Sequence, residues 1–122
     1  MATLSDDTLR KILVQIQTTA VQSQRALAVT RQQIASKERE RRILQLTIDE
    51  ISHMEPDVNM YKGVGKMFMM VPRPNMEKDL KSQEKSLTDE INAFNKKAKY
   101  LEKQFNDAQN QLRDIFNSAP RQ

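Results

Sequence analysis

Few residues in this chain have the types and spacing that catalysis or metal binding requires. His53 is the only histidine, and the sequence contains no cysteine. A protein zinc site needs several His, Cys or carboxylate ligands gathered around one point. His53 follows a long helical pattern without such partners, so we interpret it as a surface or helix-capping residue. The sequence predicts no metal and no cofactor.

The segment Gly63-Val64-Gly65-Lys66 has the composition of a phosphate-binding loop but not its spacing. A P-loop separates its two glycines more widely and places Ser or Thr directly after the lysine, whereas Met67 follows Lys66 here. The carboxylates are spread along helical patterns, with no enclosed pocket predicted to shift their pKa values. We therefore do not expect an enzyme.

The composition is that of long helices and not of a compact globular core. Of the 122 residues, 38% are hydrophobic and 30% are charged, and there is no tryptophan. Helices that bury only a narrow apolar stripe suit this balance. The formal net charge is +4, with basic and acidic residues mixed along most of the chain. Mixed charge is typical of a solvated helix surface and argues only weakly for a nucleic-acid partner.

Compartment and membrane association follow from what the sequence lacks. The absence of cysteine fits a reducing compartment. The first residues contain no apolar signal-peptide region, and no apolar run approaches the ~18 residues of a membrane span. A cytoplasmic protein without membrane association is predicted, in one domain over residues 1–122.

The first half of the chain has the heptad pattern of a coiled coil over residues 3–52. Thr3, Ser5 and Asp6 could each cap its start. Apolar or small residues alternate by four and three, which predicts these seam positions: Leu9, Leu13, Ile16, Ala20, Ser23, Leu27, Thr30, Ile34, Lys37, Arg41, Leu44, Ile48 and Ile51.

The second half repeats this pattern over residues 73–118, after Pro72. Its predicted seam positions are Leu80, Glu84, Leu87, Ile91, Phe94, Ala98, Leu101, Phe105, Ala108, Leu112 and Ile115. Two helices of similar length joined by a short insert are expected to pack antiparallel. A register with Leu13 opposite Ile115 gives each seam position from Leu13 to Ile48 a seam partner. Arg41 and Glu84 then lie in adjacent layers and could pair.

Residues 59–71 do not fit a helical stripe and are predicted to form a β-hairpin between the helices. Gly63 and Gly65 supply the backbone freedom of a tight turn. An isolated hairpin is marginal in water and leaves two free edges. Its apolar surface is too large to remain solvated, so we predict a subunit-assembly surface that includes Met60, Tyr61, Val64, Gly65, Met67, Phe68, Met69, Met70 and Val71, with Ile43 and Leu46 from the nearby helix.

The decapeptide from Asn59 to Phe68 resembles the hairpin of β-type prefoldin subunits, and the helix–hairpin–helix layout extends this resemblance over nearly the whole chain. Pro72 and Pro74 depart from the helix start expected in that family. The resemblance implies a hexamer of two α-type and four β-type subunits whose hairpins form a double β-barrel hub. It also implies an ATP-independent holding chaperone that passes unfolded actin and tubulin to the cytosolic chaperonin.

By the same resemblance, the coiled-coil tips bind the client. A frayed coiled-coil end could expose its seam to a non-native chain, and several weak contacts would add avidity. The residues predicted to form this tip are Leu4, Leu9, Ile12, Leu13, Leu112, Ile115 and Phe116. Val14 is a further apolar residue off the seam there.

Two other functions are compatible with the pattern. A coiled-coil adaptor or scaffold subunit would use the hairpin for assembly but would hold no client. A nucleic-acid-binding protein would use Arg25, Arg31, Arg39 and Arg42 and would bind DNA with a steep salt dependence. The interleaved acidic residues make the second of these the least favoured.

Overall fold

The computed structural model describes residues 5–118 and contains two long α-helices joined by one β-hairpin. The elements are α1 (Asp6–Ser52), β1 (Met60–Val64), β2 (Met67–Val71) and α2 (Arg73–Ser118). The predicted fold class of the chain, two long helices and one antiparallel hairpin, is confirmed. The predicted helix start at Thr3 lies outside the described residues. The single domain over residues 1–122 stays a prediction.

Each end of α1 is capped by a side chain close in sequence. Ser5 precedes the helix, and its Oγ accepts a hydrogen bond of 3.2 Å from the backbone N–H of Thr8. Asp6 and Asp7 occupy the first turn, where the helix dipole favours negative charge. At the other end, Nδ1 of His53 lies 2.7 Å from the Asp49 carbonyl oxygen, so His53 serves as a helix cap.

The start of α2 accommodates the two prolines. The Pro72 carbonyl accepts a 3.0 Å hydrogen bond from the backbone N–H of Met76, which closes the first turn. Pro74 lies in that turn, where a missing backbone N–H costs nothing because no intrahelical acceptor is available to it. The departure from the expected helix start therefore leaves the helix intact from Arg73.

The described residues divide into two compact units. The terminal unit combines α1 up to Gln33 with α2 from Phe94, and the hairpin unit is Ile34–Ala93. In the terminal unit the two helices are antiparallel, and the least exposed side chains belong to predicted seam positions: Ala20, Ser23, Leu27, Thr30, Leu101 and Ala108. The seam therefore forms the core of this unit.

Polar residues in the terminal seam are all hydrogen-bonded. Thr30, which is only 1% exposed, donates its hydroxyl to the Ala26 carbonyl at 2.8 Å. The Ser23 hydroxyl lies 3.4 Å from Oε1 of Gln104. Within residues 5–118 no buried side-chain nitrogen or oxygen lacks a partner. Small polar residues thus stay in the seam without the desolvation cost of an unpaired group.

The hairpin unit packs its antiparallel helices around Ile51 and Ile91, and Ile91 is 2% exposed. Its polar seam residues bridge the helices. Lys37 Nζ lies 2.6 Å from a Glu90 carboxylate oxygen, and Nε2 of Gln45 donates to Glu84 at 3.0 Å. The expected Arg41–Glu84 pair is not among the ion pairs of the described residues. Gln45 reaches Glu84 instead, one position from the predicted layer.

The hairpin is a two-stranded antiparallel sheet in which Met60 pairs with Val71 and Val64 with Met67. Gly65 and Lys66 form the two-residue turn, and Gly65 has a φ of 60°, whereas no residue other than glycine within residues 5–118 has a positive φ. A glycine with positive φ at the first turn position is the pattern of a type II′ turn. The prediction that Gly63 also serves the turn is wrong, because Gly63 lies within β1 opposite Phe68.

Candidate functional site

The two faces of the hairpin differ in what lies next to them. Side chains of directly paired residues point to the same face of an antiparallel pair, and successive pairs alternate. Met60 with Val71 and Lys62 with Met69 therefore share one face. Met60 is buried, and Nζ of Lys62 lies 3.2 Å from Asp79 in the second turn of α2. Around Met60 and Lys62 this face packs towards the start of α2, whereas Met69 and the third pair on the same face, Val64 with Met67, are exposed.

The opposite face of the hairpin is apolar and exposed. It carries Tyr61 with Met70 and Gly63 with Phe68, and Phe68 is 80% exposed. The Phe68 ring lies beside Gly63, which has no side chain to cover it. A Cβ added at Gly63 would be 3.8 Å from Cε1 of the ring. An aromatic ring and a methionine on one small surface are typical of an interface core.

Other apolar groups of the hairpin unit are exposed as well. Met67, which is 76% exposed, and Val64 flank the turn, and Met69 lies in the centre of β2. Ile43 and Leu46 of α1 are also exposed. In the described sheet each strand has a paired edge and an open edge. Among the predicted assembly residues, Met60 is buried and Val71 is half-buried, and all the others are exposed.

Arg73 connects the first residue of α2 to the end of α1, a role that sequence reasoning missed. Its guanidinium donates to the carbonyls of Met54 at 2.8 Å and Glu55 at 3.2 Å, and also to that of Ile51. Its Nε donates to Glu77 at 3.2 Å. The Ile51 carbonyl lies in the last turn of α1, where no intrahelical partner is available, and Met54 and Glu55 lie just beyond the helix, so Arg73 holds this end of α1 from across the hairpin. A basic residue between two prolines gives no periodic signal that could have revealed this.

The predicted tip residues fall within the terminal unit, apart from Leu4, which lies outside the described residues. Phe116 is exposed, whereas five others are half-buried: Leu9, Ile12, Leu13, Leu112 and Ile115. Ile12 and Ile16 of α1 line a shallow groove with Ala108 and Gln111 of α2. Apolar side chains near the chain ends are thus partly accessible without any opening of the helices.

Within residues 5–118 no cluster of His, Cys, Asp or Glu has the arrangement of a metal site. A charge effect inside the seam is seen at Lys37, whose pKa is raised above its usual value mainly by the hydrogen bond to Glu90. The described residues therefore offer exposed apolar surfaces, and their ion pairs join the two helices, join the hairpin to α2 or lie within a local segment.

Comparison with known proteins identifies relatives of one kind. A family model described as "Prefoldin subunit" matches residues 14–119. A probable prefoldin subunit 1 of Schizosaccharomyces pombe is 34% identical over 110 residues, which cover 90% of this chain and 98% of the relative. Prefoldin subunit 1 of Homo sapiens is 27% identical over 116 residues, with 95% of each chain covered. The resemblance predicted from the hairpin decapeptide is confirmed.

A solved structure with the same fold is the crystal structure of the prefoldin beta subunit from Thermococcus strain KS-1. The TM-score is 0.82 at 19% sequence identity, over 98% of this chain and 100% of that chain. The match covers both helices and the hairpin.

Proposed function

Because this chain belongs to the prefoldin subunit family, whose members are chaperone subunits that assemble with other prefoldin subunits, we propose that it is one of four β-type subunits of a hexamer. Two α-type subunits complete this assembly. The hairpins of all six chains join into a double β-barrel hub, which pairs their open edges and covers their apolar faces.

The exposed hairpin is the observation that supports this assembly most strongly. Phe68 and Met67 are 80% and 76% exposed, and Tyr61 and Met70 share a face with Phe68. Covering one large apolar side chain contributes about 1.5–3 kcal/mol. Strand pairing at both edges would also supply backbone hydrogen bonds, as in other cases of β-strand addition.

We further propose that the complex holds unfolded polypeptides, of the actin and tubulin class, without ATP and delivers them to the cytosolic chaperonin in the cytoplasm. The client-binding residues are those of the terminal unit, including Leu9, Ile12 and Phe116, together with Leu4. The partial exposure of these apolar side chains supports this role. Each contact is weak, and several arms around one client raise the overall affinity.

The test is suppression of client aggregation by the assembled complex. Ile12→Asp with Phe116→Asp places two charges among the apolar residues of the terminal unit, so we expect several-fold weaker suppression of chemically denatured actin aggregation. Native mass spectrometry should show an intact hexamer, since neither residue lies in the hairpin unit.

A matched control is Gln17→Asp with Gln109→Asp, which adds the same charge to the same unit at exposed polar positions. This control should suppress aggregation as well as the wild type does. If the wild-type hexamer does not slow aggregation at all, the protein is a structural adaptor. Equal suppression by wild type and by the Ile12/Phe116 variant would contradict the assignment of client binding to these residues.

A further inference from the structure

In the terminal unit, α1 carries a second apolar stripe on the face turned away from α2. Val14, Val21 and Val29 are 61%, 45% and 54% exposed, and their spacing of seven and eight residues places them on one side of the helix. The buried positions Ser23, Leu27 and Thr30 lie on the other side. These valines therefore contribute nothing to the seam that joins the helices.

Exposed valine is an unfavourable choice for a helix surface that has only to remain solvated. Its branched side chain loses rotamer freedom against the preceding turn, so Ala, Glu, Lys or Gln would stabilise the same positions better. Single exposed apolar residues are common, but here three lie on one helical face, about 10–12 Å apart along the axis at 1.5 Å per residue. A shallow groove lined by Val14, Thr18, Gln22 and the basic residues Arg10 and Lys11 lies at the Val14 end of this stripe.

The charge of this stretch of α1 has one sign. Between Asp7 and Glu38 the sequence contains no acidic residue, and the basic residues there are Arg10, Lys11, Arg25, Arg31 and Lys37. Arg31 pairs with Glu102 across the unit at 4.0 Å. The ion pairs within residues 5–118 do not involve Arg10, Lys11 or Arg25.

The two units also differ in net charge, and α1 and α2 contribute equally to the excess in the terminal unit. Among described residues, the terminal unit has nine Lys or Arg and five Asp or Glu, whereas the hairpin unit has ten and eleven. The basic excess of the protein is therefore concentrated in the unit that carries the valine stripe. Clustered charge of one sign attracts an oppositely charged partner over about a Debye length of ~8–10 Å.

We propose that Val14, Val21 and Val29, with Arg10, Lys11 and Arg25, form a docking face for acidic amphipathic segments of non-native polypeptides. This inference rests on the proposed client-holding function and adds a chemical preference to it. The valines bury the apolar side of the segment, while the flanking basic groups pair with its carboxylates. Charge complementarity selects the segment and raises its association rate, and apolar contact slows its release.

The experiment uses the assembled hexamer and a subunit-specific readout. Because the chain has no cysteine, Gln22→Cys introduces a single thiol beside the stripe for a benzophenone photocrosslinker. Ser86→Cys, at an exposed position of the hairpin unit, is the matched control. The probes are two amphipathic peptides with identical leucines, one with Glu and the other with Lys at every polar position.

We expect the Glu peptide to crosslink at position 22 in preference to position 86, and the Lys peptide to crosslink weakly at both. Replacing Arg10, Lys11 and Arg25 by Gln should lower the yield with the Glu peptide about tenfold at low salt, since each exposed charge pair contributes only a few-fold. Val14→Ser with Val21→Ser should lower it several-fold. Circular dichroism and native mass spectrometry check that these variants fold and assemble.

Equal crosslinking of the two peptides at position 22, or yields unaffected by the Gln substitutions, would overturn the inference. Single-stranded DNA that crosslinks more strongly than the Glu peptide would overturn it too, because the face would then bind polyanions in general.

The proposed function and this inference fail separately. A hexamer that suppresses aggregation but does not distinguish the peptides contradicts only the acidic preference. A hexamer that selects the Glu peptide yet never suppresses aggregation contradicts the holding function and supports the docking face.

Discussion

The helical seam and the β-hairpin contain similar apolar side chains but differ in what covers them. Ile91 in the seam is 2% exposed, whereas Phe68 in the hairpin is 80% exposed. The seam residues of one helix are covered by the other helix of the same chain. No described part of the chain covers Phe68, so this ring is available for contact with another chain. The apolar seam is thus buried within the chain, whereas the apolar face of the hairpin remains exposed.

Backbone and polar groups show the same contrast. Ser23 and Thr30 are buried in the seam with hydrogen-bond partners. In the hairpin, each strand pairs along only one edge in the described sheet. Open edges and exposed apolar side chains together form a surface suited to pairing with another strand. The seam thus pairs its polar groups within the chain, whereas the hairpin leaves a strand edge and apolar side chains exposed.

The largest effect is expected from charges on the exposed hairpin face. Phe68→Asp with Met70→Asp should abolish co-assembly with the other subunits, because burial of two carboxylates without partners costs several kcal/mol each. The helical signal in circular dichroism should persist. Mixing with the other five subunits and native mass spectrometry measure the outcome.

The matched control for this variant is Val14→Asp with Val29→Asp, which adds the same two charges at exposed apolar positions of α1. It should assemble normally. Hexamers that form with Asp at positions 68 and 70 would contradict the assignment of the hairpin to assembly.

A medium effect is expected at Arg73, which joins the start of α2 to the carbonyls at the end of α1. Arg73→Ala leaves the Met54 and Glu55 carbonyls without this charged donor, and about 2 kcal/mol of local stability should be lost. Hydrogen exchange at the amide of Met54, which is bonded to the Ile51 carbonyl, should become ~10–30-fold faster in the assembled complex.

Arg73→Lys keeps the charge but not the fork of donors and should give an intermediate rate. If both variants exchange at the wild-type rate, the hairpin connection is held by other contacts. The stability of the hairpin unit would then not depend on the hydrogen bonds that Arg73 donates to the Met54 and Glu55 carbonyls.

The smallest effect is expected at Lys37, a charged residue in an otherwise apolar layer. Its pKa is raised, first by the hydrogen bond to Glu90 and then by the charges of Glu90 and Glu40. A raised pKa means that the contribution to stability is complete below the usual value of 10.5 and is lost as the pH rises through the folded-state pKa.

Lys37→Met removes this titration and retains the length of the side chain. The difference in Tm between wild type and Lys37→Met should be small and constant through neutral pH, and it should change only above about pH 10.5. Lys81→Met, at an exposed position, is the control and should show no such change. A pH-independent difference would show that Lys37 acts through packing alone.

Much of the fold could be predicted because it depends on local spacing. Every predicted seam position is buried or half-buried, including the polar positions Lys37 and Glu84. Within each unit, the contacts of Ser23 with Gln104 and of Gln45 with Glu84 lie within one residue of the predicted register. Helical periodicity determines a face regardless of which side chain occupies it, so polar seam residues did not obscure the pattern.

The candidate surfaces were less predictable. The hairpin was recognised by its apolar excess, but its exposed and packed faces could be told apart only from the pairing of Tyr61 with Met70 and the contact of Lys62 with Asp79. The assignment of particular residues to assembly and to client binding stays a prediction. Val14 was identified from the sequence as an apolar residue off the seam, but its alignment with Val21 and Val29 was not predicted, because the seam already accounts for the main heptad pattern.

The sequence by itself determined the two helices, the turn glycine Gly65 and the positions of the seam, since each follows from the periodicity or backbone preference of neighbouring residues. Only the tertiary structure decided that Gln45 and not Arg41 reaches Glu84, that Gly63 faces Phe68, and that Arg73 caps α1. Long side chains have several partners within reach, and the choice among them depends on the distances and angles between elements that are remote in the chain.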